Sequence, residues 1–346
     1  MKESLLDVSL EELEKFVAAS GGQKFHAAQI KKFSNFGFEV EEISVISKQL
    51  REILSKSFVS NPVKIIQEIE SKDGTKKFLF QLLDGNVIEG VLMSYHHGKT
   101  LCISSQVGCR MGCKFCASTL GGLVRNLSSS EILGQVLSVN RALGAKVSEQ
   151  KITNLVLMGS GEPLDNYENV VRFIKEISGP NSLNISQRNI SLSTCGLVEK
   201  IYRLADDGLQ ITLTISLHAP NDEIRRKIMP VASSQPIEKL IESAKYYFDK
   251  TGRRVVFEYA MIDGVNNSAA CAAELKKLLG GLCCHINLIP LNSVEERNLK
   301  GAPKHQVYWF KDKLVSLGLS ATVRRTMGED IEGACGQLRA KFLKNS

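Results

Sequence analysis

The chain has 346 residues, a formal net charge of +7, 43% hydrophobic residues and nine cysteines. A protein of that length buries about 75% of its unfolded surface, so it needs no disulfide staple, and cysteines at metal-ligand spacing point to a reducing, cytoplasmic setting. The N-terminal run Met-Lys-Glu-Ser-Leu-Leu-Asp has no signal-peptide core, and no stretch approaches the roughly 20 apolar residues of a membrane span, which argues against export and membrane insertion.

Residues 1–60 read as short helices. Ser9 to Glu12 has capping-box spacing ahead of Leu13, Phe16 and Val17, Gly21-Gly22 stops the pattern, and Lys24–Phe36 and Ser47–Phe58 repeat the helical spacing. Residues 61–100 form a second segment, in which Lys76–Leu83 and Asn86–Tyr95 alternate like strands around the turn Asp84-Gly85. From residue 101 to 346 strand-like runs at 101–105, 152–158, 188–194, 210–217, 254–262, 284–290 and 319–325 alternate with amphipathic helical segments. Repeated βα units imply an α/β fold with a parallel sheet and right-handed crossovers, doubly wound or curled into a barrel.

The distinctive residues fall at the C-terminal ends of these strands, the edge where parallel β/α folds hold ligands. Cys109, Cys113 and Cys116 follow the first strand, and their thiolates can hold three irons of a 4Fe-4S cluster while leaving the fourth iron open. A structural zinc would need four closed ligands, and no nearby Cys or His completes such a set. Gly159-Ser-Gly161-Glu162-Pro163 follows the second strand, where the glycines admit a ligand close to the backbone beside a carboxylate. Ser193, Ser216, His218 and Asn292 occupy other strand ends, where alternate side chains turn inward. Residues 297–346 hold ten Lys/Arg against four Asp/Glu, net +6, while residues 1–50 hold six against eight, net −2. That balance suits a polyanionic partner and equally a solvated surface.

The CxxxCxxC spacing with Phe115 before the last cysteine resembles the radical S-adenosylmethionine (SAM) superfamily, whose fold is a partial (βα)6 barrel. From Gly85 to the Gly-Ala-Cys335-Gly-Gln-Leu tail the chain is similar to the RlmN/Cfr family of radical SAM RNA adenosine methyltransferases. The resemblance implies a 4Fe-4S cluster on Cys109, Cys113 and Cys116, with SAM as both methyl donor and radical source. It places the SAM amino group at Gly161 and Glu162. The SAM ribose and carboxylate would be held by Ser193, Ser216, the Leu217 backbone, His218 and Asn292.

Adenine C2 is an electron-poor amidine carbon that will not attack a sulfonium methyl, so a radical route is required. The family assigns Cys335 as the methyl carrier through an S-methylcysteine intermediate. Cys102 releases the product by a transient disulfide with Cys335, and Glu89, within an apolar strand, is the proton acceptor. Burial of Glu89 would raise its basicity; the competing reading is an edge-strand glutamate turned outward. The implied substrates are an adenosine of the peptidyl-transferase centre of 23S rRNA and the tRNA adenosine 3′ of the anticodon. A flavodoxin-like electron donor, a monomeric state and an RNA-contacting N-terminal domain are further family expectations.

Pro163 and Val107 fit the C2 group; the alternative is a C8-methylating, Cfr-like rRNA methyltransferase that confers antibiotic resistance. A zinc-bound RNA-binding module and a SAM-dependent activase of a protein partner are rivals from other classes. Cys195, Cys271, Cys283 and Cys284 read as packing residues without an assigned role.

Overall fold

The computed structural model describes residues 2–96, 98–292, 299–325 and 327–331; Cys335, Lys341 and Lys344 lie outside the described residues. The N-terminal segment comprises β1 (Glu3–Ser4), α1 (Leu10–Ala19), α2 (Lys24–Ser34), α3 (Lys48–Ser57) and β2 (Phe58–Val59), with β1 and β2 paired in parallel. Ser9 and Glu12 form the capping box of α1, and Ser47 caps α3 through the Leu50 N–H. Leu5, Leu13, Val17, Ile30, Leu50 and Leu54 close an apolar core of their own. The Lys31 ammonium reaches back to the carbonyls of Leu5 and Val8, both at 2.7 Å, and so satisfies the turn that leads into α1.

Four strands follow: β3 (Val63–Glu70), β4 (Lys76–Leu82), β5 (Val87–Tyr95) and β6 (Gly98–Cys102), each antiparallel to the next. A short antiparallel pair, β7 (Gln106–Gly108) and β8 (Leu123–Asn126), brackets the cysteine loop. The alternating part then runs α4 (Ser129–Ala142), β9 (Asn154–Leu157), α5 (Tyr167–Ile177), β10 (Ile190–Thr194), α6 (Val198–Asp206), β11 (Thr212–Ser216), α7 (Asp222–Ile228), α8 (Ile237–Thr251) and β12 (Val255–Met261). It ends with α9 (Ala269–Leu279), β13 (Cys284–Pro290), α10 (Lys304–Ser316) and β14 (Ala321–Val323).

Ten strands make one sheet in the order β14-β13-β12-β11-β10-β9-β6-β5-β4-β3. From β14 to β6 every pairing is parallel, and β5, β4 and β3 extend it antiparallel. The parallel strands are Leu-, Ile- and Val-rich because helices cover their outer face. The 76–95 hairpin therefore does not stand apart from the βα region; β5 and β6 join the two in a continuous ladder. Helix α4 is buried on nearly all sides, between the sheet and the N-terminal segment, where Gly37 lets the backbone approach Leu137. Asp7 accepts a 2.7 Å hydrogen bond from the Ser130 hydroxyl across the same contact.

The chain leaving β14 returns to the turn between β3 and β4. Asp73 accepts the Gly328 N–H at 2.9 Å, and Asp330 accepts the Lys72 N–H at 3.1 Å and the Ser71 hydroxyl. No described helix is long and apolar enough to cross a membrane.

Candidate active site

One cavity of about 320 Å³ opens at the C-terminal ends of the parallel strands. The cluster cysteines Cys109, Cys113 and Cys116 line it together with Cys102. So do Gly161, Glu162, Ser193, Ser216, His218 and Asn292, which come from four different strand ends, those of β9, β10, β11 and β13. Leu217 is buried beside them, with its N–H and that of His218 donating to the Glu258 carbonyl at 3.1 Å. Glu89 lies on β5 two residues before Val91, which lines the cavity with Met93, so all three share one face of the strand.

The cysteine loop is fixed from three sides. Gly108 has φ +75°, and a Cβ there would stand 2.0 Å from the Gly122 oxygen. The Lys114 N–H donates to the Ile228 carbonyl at the end of α7 at 2.9 Å. Phe115 meets the His218 ring edge-on at 4.7 Å. None of the three is in a disulfide among the described residues. Burial pushes the Cys109 thiol up to about 12, and Cys113 is raised by burial in the same way. Buried thiols facing one cavity suit a cluster that replaces their protons with iron.

Glu162 is the charged floor of this site. Its carboxylate accepts the Cys195 N–H at 2.7 Å and the Leu164 N–H at 3.0 Å, and burial raises its pKa against these donors. A buried carboxylate beside an open cavity favours a cationic ligand. Gly161 is required here: φ is +111°, and a Cβ would lie 2.6 Å from the Gln106 Cβ. Gln106 also accepts the Glu162 N–H at 2.8 Å and donates to Asp165 at 3.0 Å, while Asp165 pairs with Arg110 of the cysteine loop. These contacts tie the two loops together.

His218 adopts φ +56°, uncommon for a residue with a side chain. Its Nδ1 accepts the Ala260 N–H at 2.9 Å, so in the neutral ring Nε2 carries the proton. Burial, aided by the Arg225 charge, lowers its pKa to about 3. Arg225 is fully buried and donates to the carbonyls of Cys195 at 2.6 Å, Gln235 at 3.1 Å and Leu217 at 3.2 Å, tying the ends of β10 and β11 together.

On the antiparallel side Glu89 is 3% exposed, and β5 lies between β4 and β6, so an outward-turned edge glutamate is ruled out. Lys77 stands 3.8 Å from its Oε2 with no exposed side-chain surface. This buried ammonium is a partner of Glu89 not anticipated from the sequence. Cys195 is buried in the cavity wall, consistent with a packing role, whereas Cys283 is exposed and does not pack. Arg324 and Arg325 border the cavity, and Arg324 faces Glu258, so this basic pair is not merely solvated surface.

The radical SAM superfamily pattern matches residues 103–272. The probable dual-specificity RNA methyltransferase RlmN of Lachnoclostridium phytofermentans is 51% identical over 338 residues, covering 97% of this chain and 94% of that relative. The chain belongs to the RlmN family. Its counterpart in Alkaliphilus oremlandii, of the same name, is 50% identical over 346 residues, with 99% of both chains covered. The crystal structure of a radical SAM methyltransferase from Sphaerobacter thermophilus superposes with a TM-score of 0.90 at 41% identity, covering 97% of this chain and 98% of that one. This RlmN-family protein is thus a radical SAM RNA methyltransferase with the α/β partial-barrel core of that superfamily, and the family implies a 4Fe-4S cluster and SAM.

Proposed function

We propose that the protein methylates C2 of adenosine in RNA, acting on a peptidyl-transferase-centre adenosine of 23S rRNA and on the tRNA adenosine 3′ of the anticodon. Two thiols outside the cysteine loop, Cys102 and Cys195, line the same cavity as the triad, and the observation that carries this reading is the first of them, Cys102, at the end of β6 ahead of the loop. A cluster with one open iron needs three thiolates; a further thiol at the cavity suits a reaction in which a methyl-carrying cysteine must be released by attack of a second thiol.

In this reading Cys109, Cys113 and Cys116 hold the cluster, which with SAM supplies the one-electron chemistry that C2 demands. Glu162 binds the SAM ammonium beside Gly161. Ser193, Ser216, the Leu217 backbone, His218 through Nε2–H, and Asn292 receive the ribose and carboxylate. The Cys335 thiolate accepts the methyl group as S-methylcysteine, Glu89 takes up the C2 proton, and Cys102 attacks the Cys335 sulfur to free the product as a transient disulfide. Lys77, 3.8 Å from Oε2, is the cation that faces this proposed proton acceptor. A flavodoxin-like donor, a cytoplasmic setting, a monomeric state and RNA contact by the N-terminal helices complete the proposal.

Nucleoside mass spectrometry tests it, after anaerobic incubation of reconstituted protein with SAM, reductant and unmodified rRNA or tRNA. The expected product is 2-methyladenosine, absent with Cys335→Ala and with Cys102→Ala. 8-Methyladenosine would move the protein to the C8 relatives, and unmethylated RNA beside an intact cluster would refute the proposed reaction.

A further inference from the structure

Glu258 stands mid-strand on β12, and no step proposed above uses it. Its side chain is 8% exposed and it lines the cavity. Oε1 has no hydrogen-bond partner among the described residues. The nearest cation, Arg324, stands 3.7 Å from Oε1, and Oε2 receives only the Ser193 hydroxyl at 3.5 Å. An ionised carboxylate offers about four acceptor sites, and leaving them unfilled in a buried place is costly. Both oxygens are therefore underused on the wall of a ligand cavity.

The neighbours narrow the ligand. Glu258 is the register partner of Ser216 on β11, and its other oxygen faces Ser193 on β10. It is thus flanked by residues proposed to hold the nucleoside end of SAM. The SAM ammonium is already matched by Glu162, and an exocyclic amine diverges its two N–H bonds. A vicinal diol presents two O–H donors side by side, the arrangement that acidic residues accept in other nucleotide sites. A nucleotide within an RNA chain has lost its 3′-hydroxyl to the phosphodiester, so an intact diol belongs to SAM. Arg324 tempers the buried charge without occupying the lone pairs.

We propose that Glu258 accepts hydrogen bonds from the ribose 2′- and 3′-hydroxyls of SAM. This rests on the reading that SAM occupies the cavity, and the test separates the two. Binding of SAM and of its 2′-deoxyribose analogue to the anaerobically reconstituted holoprotein is measured by equilibrium dialysis, for wild type, Glu258→Gln and Glu258→Asp. Cluster absorbance confirms equal loading.

Loss of a charge-assisted pair predicts that Glu258→Gln weakens SAM binding about tenfold to a hundredfold, with Glu258→Asp intermediate. Against the deoxy analogue, which keeps only the 3′-hydroxyl of the pair, Glu258→Gln should cost less affinity than it costs against SAM. Wild-type affinity for SAM in Glu258→Gln would overturn the proposal, as would losses from variant and analogue that multiply. A Glu258→Gln protein that loses affinity for substrate RNA while keeping SAM would assign the carboxylate to the RNA 2′-hydroxyl and overturn it equally. Failure of the wild-type holoprotein to bind SAM would overturn the underlying reading as well.

Discussion

The two halves of the sheet present their functional groups in different ways. On the parallel half, Gly161, Glu162 and His218 sit in loops just past the strand ends, held by backbone N–H groups and by unusual φ angles. On the antiparallel half, Glu89 and Cys102 lie within ladders, so their neighbours across the strands, Leu79 and Val91, are fixed by register. Loop groups answer to a ligand, whereas ladder groups must also be compatible with the core around them. Substitutions on the parallel half should therefore register mainly in affinity, and those on the antiparallel half mainly in stability.

The sharpest contrast comes from Lys77→Met. It leaves Glu89 buried without its nearest ammonium and should cost about 3 to 5 kcal/mol in urea unfolding, while Lys77→Met with Glu89→Leu should recover most of that loss. A double variant as unstable as the single one would show that the pair does not act as a unit. Gly161→Ala on the other half should cost less stability, about 1 to 3 kcal/mol, because only the local loop must shift. Its SAM affinity should nonetheless fall more than tenfold, measured by dialysis as above; normal affinity would break the comparison.

The smallest effect is a proton. His218 titrates at about 3 in the folded protein against an ordinary 6.5, so between those values the unfolded chain binds one proton more. Stability must fall as pH drops through 6.5, and between pH 7 and 5.5 this group should cost about 1 kcal/mol. Unfolding curves for wild type and His218→Asn at the two pH values check it: the variant should lose about that much less on acidification.

What the sequence disclosed follows the same division. Glycines and polar residues clustered after apolar runs marked the parallel strand ends, and Glu89 was legible as a charge inside an apolar strand. Glu258, in Val255-Val-Phe-Glu-Tyr-Ala-Met261, carries the same signal but stands in no motif that would single it out. Lys77 and Arg225 were hidden by their neighbours. Lys76 pairs with Glu68 at the surface while Lys77, one residue on, faces the interior; Arg225 is buried while Arg226 and Lys227 are exposed. Composition does not distinguish such adjacent residues; only register or helical phase does. Strand β3 also went unread, because a bulge between Ile65 and Gln67 breaks its alternation.

An open sheet has two free margins, here β14 and β3, and the segment that leaves one is fastened to the turn beside the other. Among the described residues the fastening consists of two amides, Gly328 and Lys72, and the Ser71 hydroxyl, all donated to carboxylates, whereas neighbouring strands of the sheet are joined by ladders. Thermal opening will therefore concentrate at this seam. In deuterium exchange, the amides of Lys72 and Gly328 should be labelled together and well before those of β12, within the parallel strands, and the molecule should part along a line that the chain itself has stitched.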